Sequence, residues 1–270
     1  MADSFHKVVS EAINDIITHG FDHVSRLEFW VAKIKKAALA NLIPESVLQA
    51  TLKETLKTIY VNMIDKGGIL KYHPGVGKYT VAKLKPAMRA ELDRRISLSA
   101  NLIKLNREQS IAATLQRFTG WATSIPTGGT DVVQRAATKA YIKKSLSSLT
   151  FEERRVAIDQ GMKFTSALNS LIAKENNAIA GIWHSHWKRP GYNYREDHKE
   201  RDLKIYAVRD NWAIKAGLMK VGPDGYTDEI TRPAEEVYCS CYYQYVYSIE
   251  DLPPSMVTKK GAEQLAALKQ

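Results

Sequence analysis

The spacing of the apolar residues changes near residue 175, and this change limits the folds that the chain can adopt. Before it, apolar side chains recur every three or four residues, which is the spacing of one face of an α-helix. Gly20 follows the first such stripe and is a natural helix stop. The stripe consists of Phe5, Val8, Val9, Ala12, Ile13, Ile16 and Ile17. We therefore predict a mostly α-helical bundle for residues 1–175.

Further helical stripes follow in this region. They are Leu27, Trp30, Val31, Ile34 and Ala38; Leu48, Leu52, Leu56, Ile59, Tyr60 and Met63; Leu84, Met88, Leu92, Ile96, Leu102 and Ile103; and Val132, Val133, Ala136, Ala140 and Tyr141. A capping box from Thr150 to Glu153 starts the last long helix. Residues 67–79 lack the spacing of a phosphate-binding loop, so we interpret them as a flexible or partner-contacting loop. Residues 124–130 are interpreted as a connector.

Residues beyond 175 are predicted to form a small α+β module with a short antiparallel sheet. Strands are expected where β-prone and aromatic residues cluster, and a hairpin is expected at the turn sequence 222–225. The predicted strands are residues 178–187, 203–208, 212–221 and 237–249. A helical turn is expected at 196–202, and a short tail helix at most over 262–268. The fold class is thus α+β, with predicted domains 1–175, 176–252 and 253–270.

Charge is distributed unevenly along the chain. The 270 residues contain 39 Lys and Arg against 29 Asp and Glu, a net charge of +10. Residues 176–270 hold 13 basic and 13 acidic residues, so the whole excess lies in residues 1–175, which hold 26 and 16. This asymmetry predicts a polyanionic partner for the first region. A solvated helix surface is the alternative interpretation.

A run of basic residues on a predicted helix is the best candidate for contact with DNA phosphates. These residues are Lys83, Lys85, Arg89, Arg94, Arg95, Lys104 and Arg107. Glu91 and Asp93 lie among them and weaken the local positive charge. The hypothesis is non-specific binding to double-stranded DNA, with an affinity that falls as the salt concentration rises.

Composition indicates a globular protein, with 44% hydrophobic and 25% charged residues. No apolar run is long enough to cross a membrane, and the N-terminal residues do not resemble a signal peptide. Cys239 and Cys241 are separated by one residue and are poorly placed to bridge each other. We therefore expect a protein of the reducing cytoplasm without a membrane segment or a disulfide framework.

Five candidate metal ligands fall within one stretch after residue 175. They are His184, His186, His198, Cys239 and Cys241. In each pair spaced i, i+2, an extended strand would place both side chains on one face, where they could share an ion. Two thiolates and two imidazoles would complete a tetrahedral zinc site. The alternatives are buried cysteines acting as small apolar residues and histidines facing solvent.

The order of residues in the same stretch carries a resemblance to a known family. This order is Trp183, Arg195-x-x-His198, a Gly/Pro turn, Pro233, and Cys239-x-Cys241 followed by an aromatic strand. It resembles the C-terminal signature of the phage Mu F-like minor head proteins, also called phage head morphogenesis proteins. The chain differs from that signature in a longer segment after Trp183, where His184 and His186 stand.

The resemblance implies a minor virion protein of a tailed bacteriophage that acts in head assembly. Such proteins enter the procapsid in few copies, associate with the portal vertex inside the capsid, and contact the packaged DNA or are ejected with it. The implied partners are the portal protein, the capsid interior and double-stranded DNA. The implied location is the virion, after synthesis in the host cytoplasm, and no enzymatic activity is implied.

The same residues suggest two enzymatic alternatives. A zinc deaminase needs Pro-Cys-x-x-Cys, whereas the cysteine pair here is one residue tighter. A metal-dependent nuclease acting on DNA is the stronger alternative, since three histidines could act as a base or as metal ligands near Arg195 and Glu196. These histidines are His184, His186 and His198. We predict a non-enzymatic virion assembly protein and keep the nuclease as the alternative.

Overall fold

The computed structural model describes residues 4–268, and the predicted α+β fold class is confirmed. These residues form ten α-helices and a three-stranded antiparallel sheet in the C-terminal part. The helices are α1 (Phe5–His19), α2 (Val24–Asn41), α3 (Glu45–Tyr60), α4 (Lys78–Lys83), α5 (Lys85–Ala122), α6 (Arg135–Ser147), α7 (Leu149–Glu175), α8 (Glu196–Glu200), α9 (Trp212–Lys215) and α10 (Lys259–Leu268). The strands are β1 (Ala180–His184), β2 (Ile205–Ala207) and β3 (Tyr242–Val246). Across the described helices, none combines the length and the apolar composition needed to span a membrane.

Contacts between residues divide the chain into two compact units. The first contains the described residues up to Thr51 together with Leu98–Val156. The second contains Leu52–Ser97 and the described residues from Ala157 onward. Helices α3, α5 and α7 contribute residues to both units. The predicted domain boundaries at residues 175 and 252 are not tested by this division and stay a prediction.

The core of the first unit is built around α1. All seven residues of the predicted α1 stripe are buried, and the helix ends at His19, immediately before Gly20. Apolar residues of α2, α5 and α6 complete this core, among them Ile34, Phe118 and Ile142. The helical spacing in the sequence therefore predicted both the element and the face that it buries.

The connector after α5 closes the C-terminal end of α1. The backbone N–H of Thr130 donates a hydrogen bond of 2.9 Å to the carbonyl of Ile17. Gly20 has a φ of +74°, and a Cβ at this position would lie 1.9 Å from the carbonyl oxygen of Pro126. Only glycine fits this close approach. Residues 124–130 thus serve as the predicted connector.

Two predicted helix starts in the first unit are wrong by a few residues. Helix α6 begins at Arg135, so the exposed Val132 lies before it and not on its apolar face. Helix α7 begins one residue before Thr150, which therefore does not cap it. The hydroxyl of Ser148 instead donates a hydrogen bond of 2.7 Å to Glu152. Caps depend on local geometry that residue types alone do not determine.

β1 lies at the centre of the sheet in the second unit, antiparallel to β2 on one side and to β3 on the other. Ala180 of β1 pairs with Ala207 and with Val246. At the next residue, Gly181, a Cβ would lie 3.0 Å from the ring of Tyr243, so the glycine leaves room for this ring. Three of the four predicted strands are confirmed, and each is shorter than its predicted range.

The strand predicted at residues 212–221 is wrong, because this segment begins with the short helix α9. The side chain of Asn211 caps the helix, accepting hydrogen bonds of 2.9 Å from the N–H of Ala213 and 3.0 Å from that of Ile214. Asparagine is among the preferred N-cap residues. This capping interaction outweighs the β-prone composition of the segment.

The predicted turn at residues 222–225 forms, but the predicted hairpin is wrong. The N–H of Gly225 donates a 3.3 Å hydrogen bond to the carbonyl of Gly222. The residue after the turn, Tyr226, forms a parallel bridge with Ala207 at the end of β2. The turn therefore directs the chain to an existing strand and does not join two new ones.

Residues 67–79, predicted as a flexible or partner-contacting loop, are partly helical. They contain a 3₁₀ helix (Gly68–Tyr72) and the start of α4. The buried His73 has its Nδ1 atom 2.5 Å from the hydroxyl of Tyr247, and its ring stacks on Tyr245 at 5.6 Å. Tyr245 lies on β3, so this segment packs against the sheet.

The C-terminal segment packs against the second unit through a few close contacts. Met256 is buried, and Val257 pairs with Met219. A Cβ at Gly261 would lie 2.2 Å from the carbonyl oxygen of Leu218, which shows how closely α10 approaches. The predicted tail helix is confirmed, and it begins three residues earlier, at Lys259.

Candidate metal centre

His198, Cys239 and Cys241 converge at one point in the second unit. His198 lies on α8, and the two cysteines directly precede β3. All three residues are buried, at most 3% exposed, and their ligand atoms lie within 4.8 Å of one another. Nδ1 of His198 is 3.5 Å from Sγ of Cys239 and 3.6 Å from Sγ of Cys241. This group could bind a metal ion.

Arg195 joins the helix that carries His198 to the segment that carries the cysteines. It precedes α8, and its Nε lies 3.1 Å from Oε2 of Glu236. Its Nη2 also donates a 3.0 Å hydrogen bond to the carbonyl of Val237. Arg195 therefore anchors the start of α8, three residues before His198, to the segment that precedes Cys239.

The backbone around Cys239 forms a tight turn. Ala234 and Tyr238 both have a φ of 63°, in the left-handed region that non-glycine residues rarely adopt. The N–H of Ala234 points at Sγ of Cys239 at 3.3 Å, and the N–H of Tyr238 donates a 2.8 Å hydrogen bond to Asp159 on α7. The turn therefore places a hydrogen-bond donor against a sulfur atom, which favours the thiolate form.

The two thiols have pKa values shifted in opposite directions. A hydrogen bond from Cys241 lowers the pKa of Cys239 to about 6, despite burial. The pKa of Cys241 is raised, first because it donates that hydrogen bond and second because it is buried. Because the two thiols interact, they titrate as a pair, and the first proton leaves more easily than the second. A bound cation would favour two thiolates, since thiolate is the ligating form.

Glu236 holds the other side of the His198 ring. Its Oε2 lies 2.8 Å from Nε2 of His198, and the ring of Trp183 makes an edge contact with the imidazole at 5.2 Å. The separation is that of an ion pair without hydrogen-bond geometry, so the carboxylate places a negative charge beside the ring on the side away from the sulfur atoms. Glu236 was not predicted as part of the site, because an acidic residue between Glu235 and Val237 has no distinctive pattern.

His184 and His186 lie near this group but outside it. The ring of His184 stacks on Tyr242 with centroids 4.9 Å apart. The ring of His186 lies beside the backbone of Ser240, its backbone N–H faces the Cys241 thiol, and burial lowers its pKa. The structure thus brings together three of the five predicted ligands. A ligand role for the other two stays a prediction.

The predicted DNA-binding residues of the second unit are partly paired with acids. Lys85 lies 2.8 Å from Asp65. Glu91 accepts hydrogen bonds from both Arg94 and Arg95, at 2.7 and 2.8 Å. These ion pairs offset part of the positive charge that the sequence places on α5.

The remaining predicted DNA-binding residues have different surroundings. Lys83 and Arg89 each lie over a tyrosine ring, at 4.8 and 5.5 Å from its centroid. Lys104, in the first unit, is exposed, whereas Arg107 is buried and its Nε lies 2.5 Å from Glu153. Arg107 therefore serves the interior of the fold, and DNA contact through the other six stays a prediction.

Comparison of the chain with protein-family models, with curated proteins and with solved structures found no match.

Proposed function

We propose that this chain is a minor virion protein of a tailed bacteriophage that acts in head assembly, associated with the portal vertex inside the capsid. The proposal is carried by one observation: the residues that resemble the head morphogenesis signature surround one centre. Trp183 and Arg195 flank His198, which faces Cys239 and Cys241. A chance match of letters gives no reason for residues up to 58 positions apart to meet in this way.

Zinc is the ion that we propose for the centre, since two thiolates and an imidazole suit it. A tetrahedral site with Zn–N of about 2.05 Å and Zn–S of about 2.3 Å has N···S separations of about 3.6 Å. The separations between Nδ1 of His198 and the two sulfur atoms, 3.5 and 3.6 Å, fit this value. Bound zinc would tie α8 to the segment before β3 and add to the folding free energy.

His186 is the fourth ligand in this proposal, because structural zinc sites use four protein ligands. Its ring lies beside Ser240, the residue between the two cysteines, and its backbone N–H faces the Cys241 thiol, so it borders the segment that carries both sulfur atoms. His184 is the less suitable candidate, since its ring is stacked on Tyr242.

Contact with the packaged DNA is the second part of the proposed role. The segment 52–97 holds ten basic and four acidic residues, and its Lys83 and Arg89 have no ion pair among the described residues. Such contact would be non-specific and electrostatic. Binding to duplex DNA in a filter or polarisation assay should weaken steeply with rising salt, and an affinity independent of salt would exclude it.

A metal-dependent nuclease is opposed by the burial of His198, which is 1% exposed and cannot reach a phosphodiester as it stands. Plasmid DNA incubated with the zinc-loaded and the magnesium-supplemented protein should remain uncut. If the wild type cleaves the plasmid and His198→Ala does not, the nuclease is favoured over the assembly role.

The assembly role is tested by quantitative mass spectrometry of particles. The chain should be present in purified virions of the phage that encodes it, at a few copies per particle. Comparison with particles emptied of DNA would show whether the chain leaves with the genome. Its absence from virions and procapsids alike would overturn the proposal.

Zinc binding is tested by metal analysis of the full chain. About one zinc per chain is expected in the wild type, and none in a Cys239→Ser, Cys241→Ser variant. Cobalt substitution should give the intense visible absorption of a tetrahedral thiolate site. His186→Ala should weaken metal binding while the matched variant His184→Ala leaves it unchanged. Wild-type protein that binds no zinc would end this part of the proposal, and equal effects of the two histidine variants would remove His186 from the site.

A further inference from the structure

A cleft on the second unit lies apart from the metal centre. Its volume is about 800 Å³, and it is lined by the end of α7, the β2–α9 connection, residues 227–235 and β3. Small-molecule sites typically occupy 300–1,000 Å³, so the cleft is large enough for an organic ligand. Its apolar lining includes Ile230, Tyr245 and Trp212, and Trp212 is 43% exposed.

Two of the four basic residues in the cleft have no ion pair within the described chain. Four basic and three acidic residues line it: Lys174, Arg209, Lys215 and Arg232, and Asp210, Asp228 and Glu235. Arg209 donates hydrogen bonds of 2.8 and 3.0 Å to Asp228 and one of 2.8 Å to Glu229, and Arg232 lies 3.9 Å from Glu235. Lys174 and Lys215 have no ion pair within residues 4–268, and Asp210 is the acidic group that remains.

A buried hydroxyl in the wall of the cleft lacks a partner. Tyr243 lines the cleft and is 3% exposed, and its hydroxyl has no hydrogen-bond partner within the described chain. The ring itself is fixed, because it packs edge-on against Trp183 and near Tyr245. Buried polar groups in native proteins are almost always hydrogen-bonded, so an orphan donor beside a cleft points to a ligand acceptor.

We propose that this cleft is a binding site for an organic anion, a ligand with an apolar or aromatic body and one carboxylate or phosphate group. The body would pack on Trp212 and Tyr245. The anionic group would lie toward Lys174 and Lys215 and accept a hydrogen bond from the hydroxyl of Tyr243. Hydrogen bonds to charged groups are stronger than those between neutral groups, so the lysines contribute most of the discrimination between anions and neutral molecules.

Calorimetric titration of the full chain tests the site with three probes: benzoate, phenyl phosphate and the neutral isostere benzamide. Binding of at least one anion and weaker binding of benzamide are expected, and the stronger anion identifies carboxylate or phosphate as the group. A Lys174→Met, Lys215→Met variant should lose about tenfold in affinity for that anion. The matched control Lys204→Met, Lys220→Met removes the same charge outside the cleft and should bind as the wild type does.

Tyr243→Phe keeps the ring and removes only the hydroxyl, and it should lose about fivefold in affinity for the same anion. Circular dichroism of each variant verifies folding. Any of three results would overturn the proposal: no binding of either anion at millimolar concentration, benzamide binding as well as the anions, or equal losses in the lysine variant and its surface control. These results concern only the cleft and leave the zinc and virion experiments independent.

Discussion

The core around α1 and the centre around His198 are stabilised by different physical effects. The α1 core consists of aliphatic and aromatic side chains, and burial of apolar surface is sufficient to hold it. The His198 centre excludes water from two thiols, an imidazole and the carboxylate of Glu236. Polar groups in such a place are costly unless each has a partner. The α1 core therefore needs only its own side chains, whereas the His198 centre would gain stability from a bound cation.

Metal removal should have the largest effect on stability, and it should act on the second unit and not on the α1 core. In structural zinc sites the metal contributes on the order of 10 kcal/mol to folding, so we expect a large fall in the stability of the second unit when zinc is chelated. Scanning calorimetry of the zinc-loaded chain, with and without chelator, measures this effect. His198→Ala should behave like the chelated wild type in both conditions. Identical melting of loaded and chelated protein would contradict the comparison.

A cavity in the α1 core should have a large effect that does not depend on metal. Ile16 is fully buried, and Ile16→Ala should lower the free energy of unfolding by about 2–5 kcal/mol. Urea unfolding followed by circular dichroism gives this value. The loss should be the same with zinc and with chelator, and a loss seen in only one of these conditions would mean that the two regions are coupled.

Low pH should destabilise the second unit through His73. Burial lowers the pKa of His73 from 6.5 to about 4, so its contribution is complete above pH 6.5 and is lost as the pH falls toward 4. A shift of this size corresponds to about 3 kcal/mol. Unfolding free energies of the wild type and His73→Phe, compared between pH 7 and pH 4 with the same zinc loading, measure it, since the pH dependence of metal binding is then common to both. His73→Phe should flatten this part of the pH profile, and an unchanged profile would refute the assignment.

Loss of the Glu236 carboxylate should have the smallest of these effects. Glu236→Gln should weaken metal binding about 10- to 100-fold, because its carboxylate places a negative charge 2.8 Å from the His198 ring and so favours a cation on the other ring nitrogen. Competition with a chromophoric chelator measures the affinity. Glu235→Gln is the matched control, since Glu235 accepts a hydrogen bond from the backbone of Arg232 and not from a ligand. Equal effects of the two variants would assign Glu236 a general electrostatic role.

The helices of the first unit show what the periodicity of apolar residues can predict and what it cannot. The α1 stripe was predicted residue by residue, because burial on one face leaves a repeat of 3.6 residues in the sequence. Helix starts were predicted less well, as Thr150 shows, because a start depends on one or two local hydrogen bonds that leave no repeat in the sequence.

In the second unit, the strand predicted at residues 212–221 was wrong because of a similar local interaction. The side chain of Asn211 accepts hydrogen bonds from two N–H groups and starts a helix there.

The candidate site was predicted in its residues but not in its arrangement. His198, Cys239 and Cys241 were identified from residue type and spacing, whereas Glu236 left no signal. The burial of Arg107 was not predicted either. A basic residue on a helix has the same appearance in the sequence whether it faces solvent or, as here, donates a hydrogen bond to Glu153.

The sequence by itself determined the α+β class, the face that α1 buries and the residue types available for a metal, because each of these is expressed by neighbouring positions along the chain. Only the tertiary structure decided which nitrogen of His198 faces the sulfur atoms, that Glu236 supports it, and that His73 lies buried beside Tyr247. The reason is distance along the chain: His73 and Tyr247 are separated by 174 positions, and no local pattern records a contact between them.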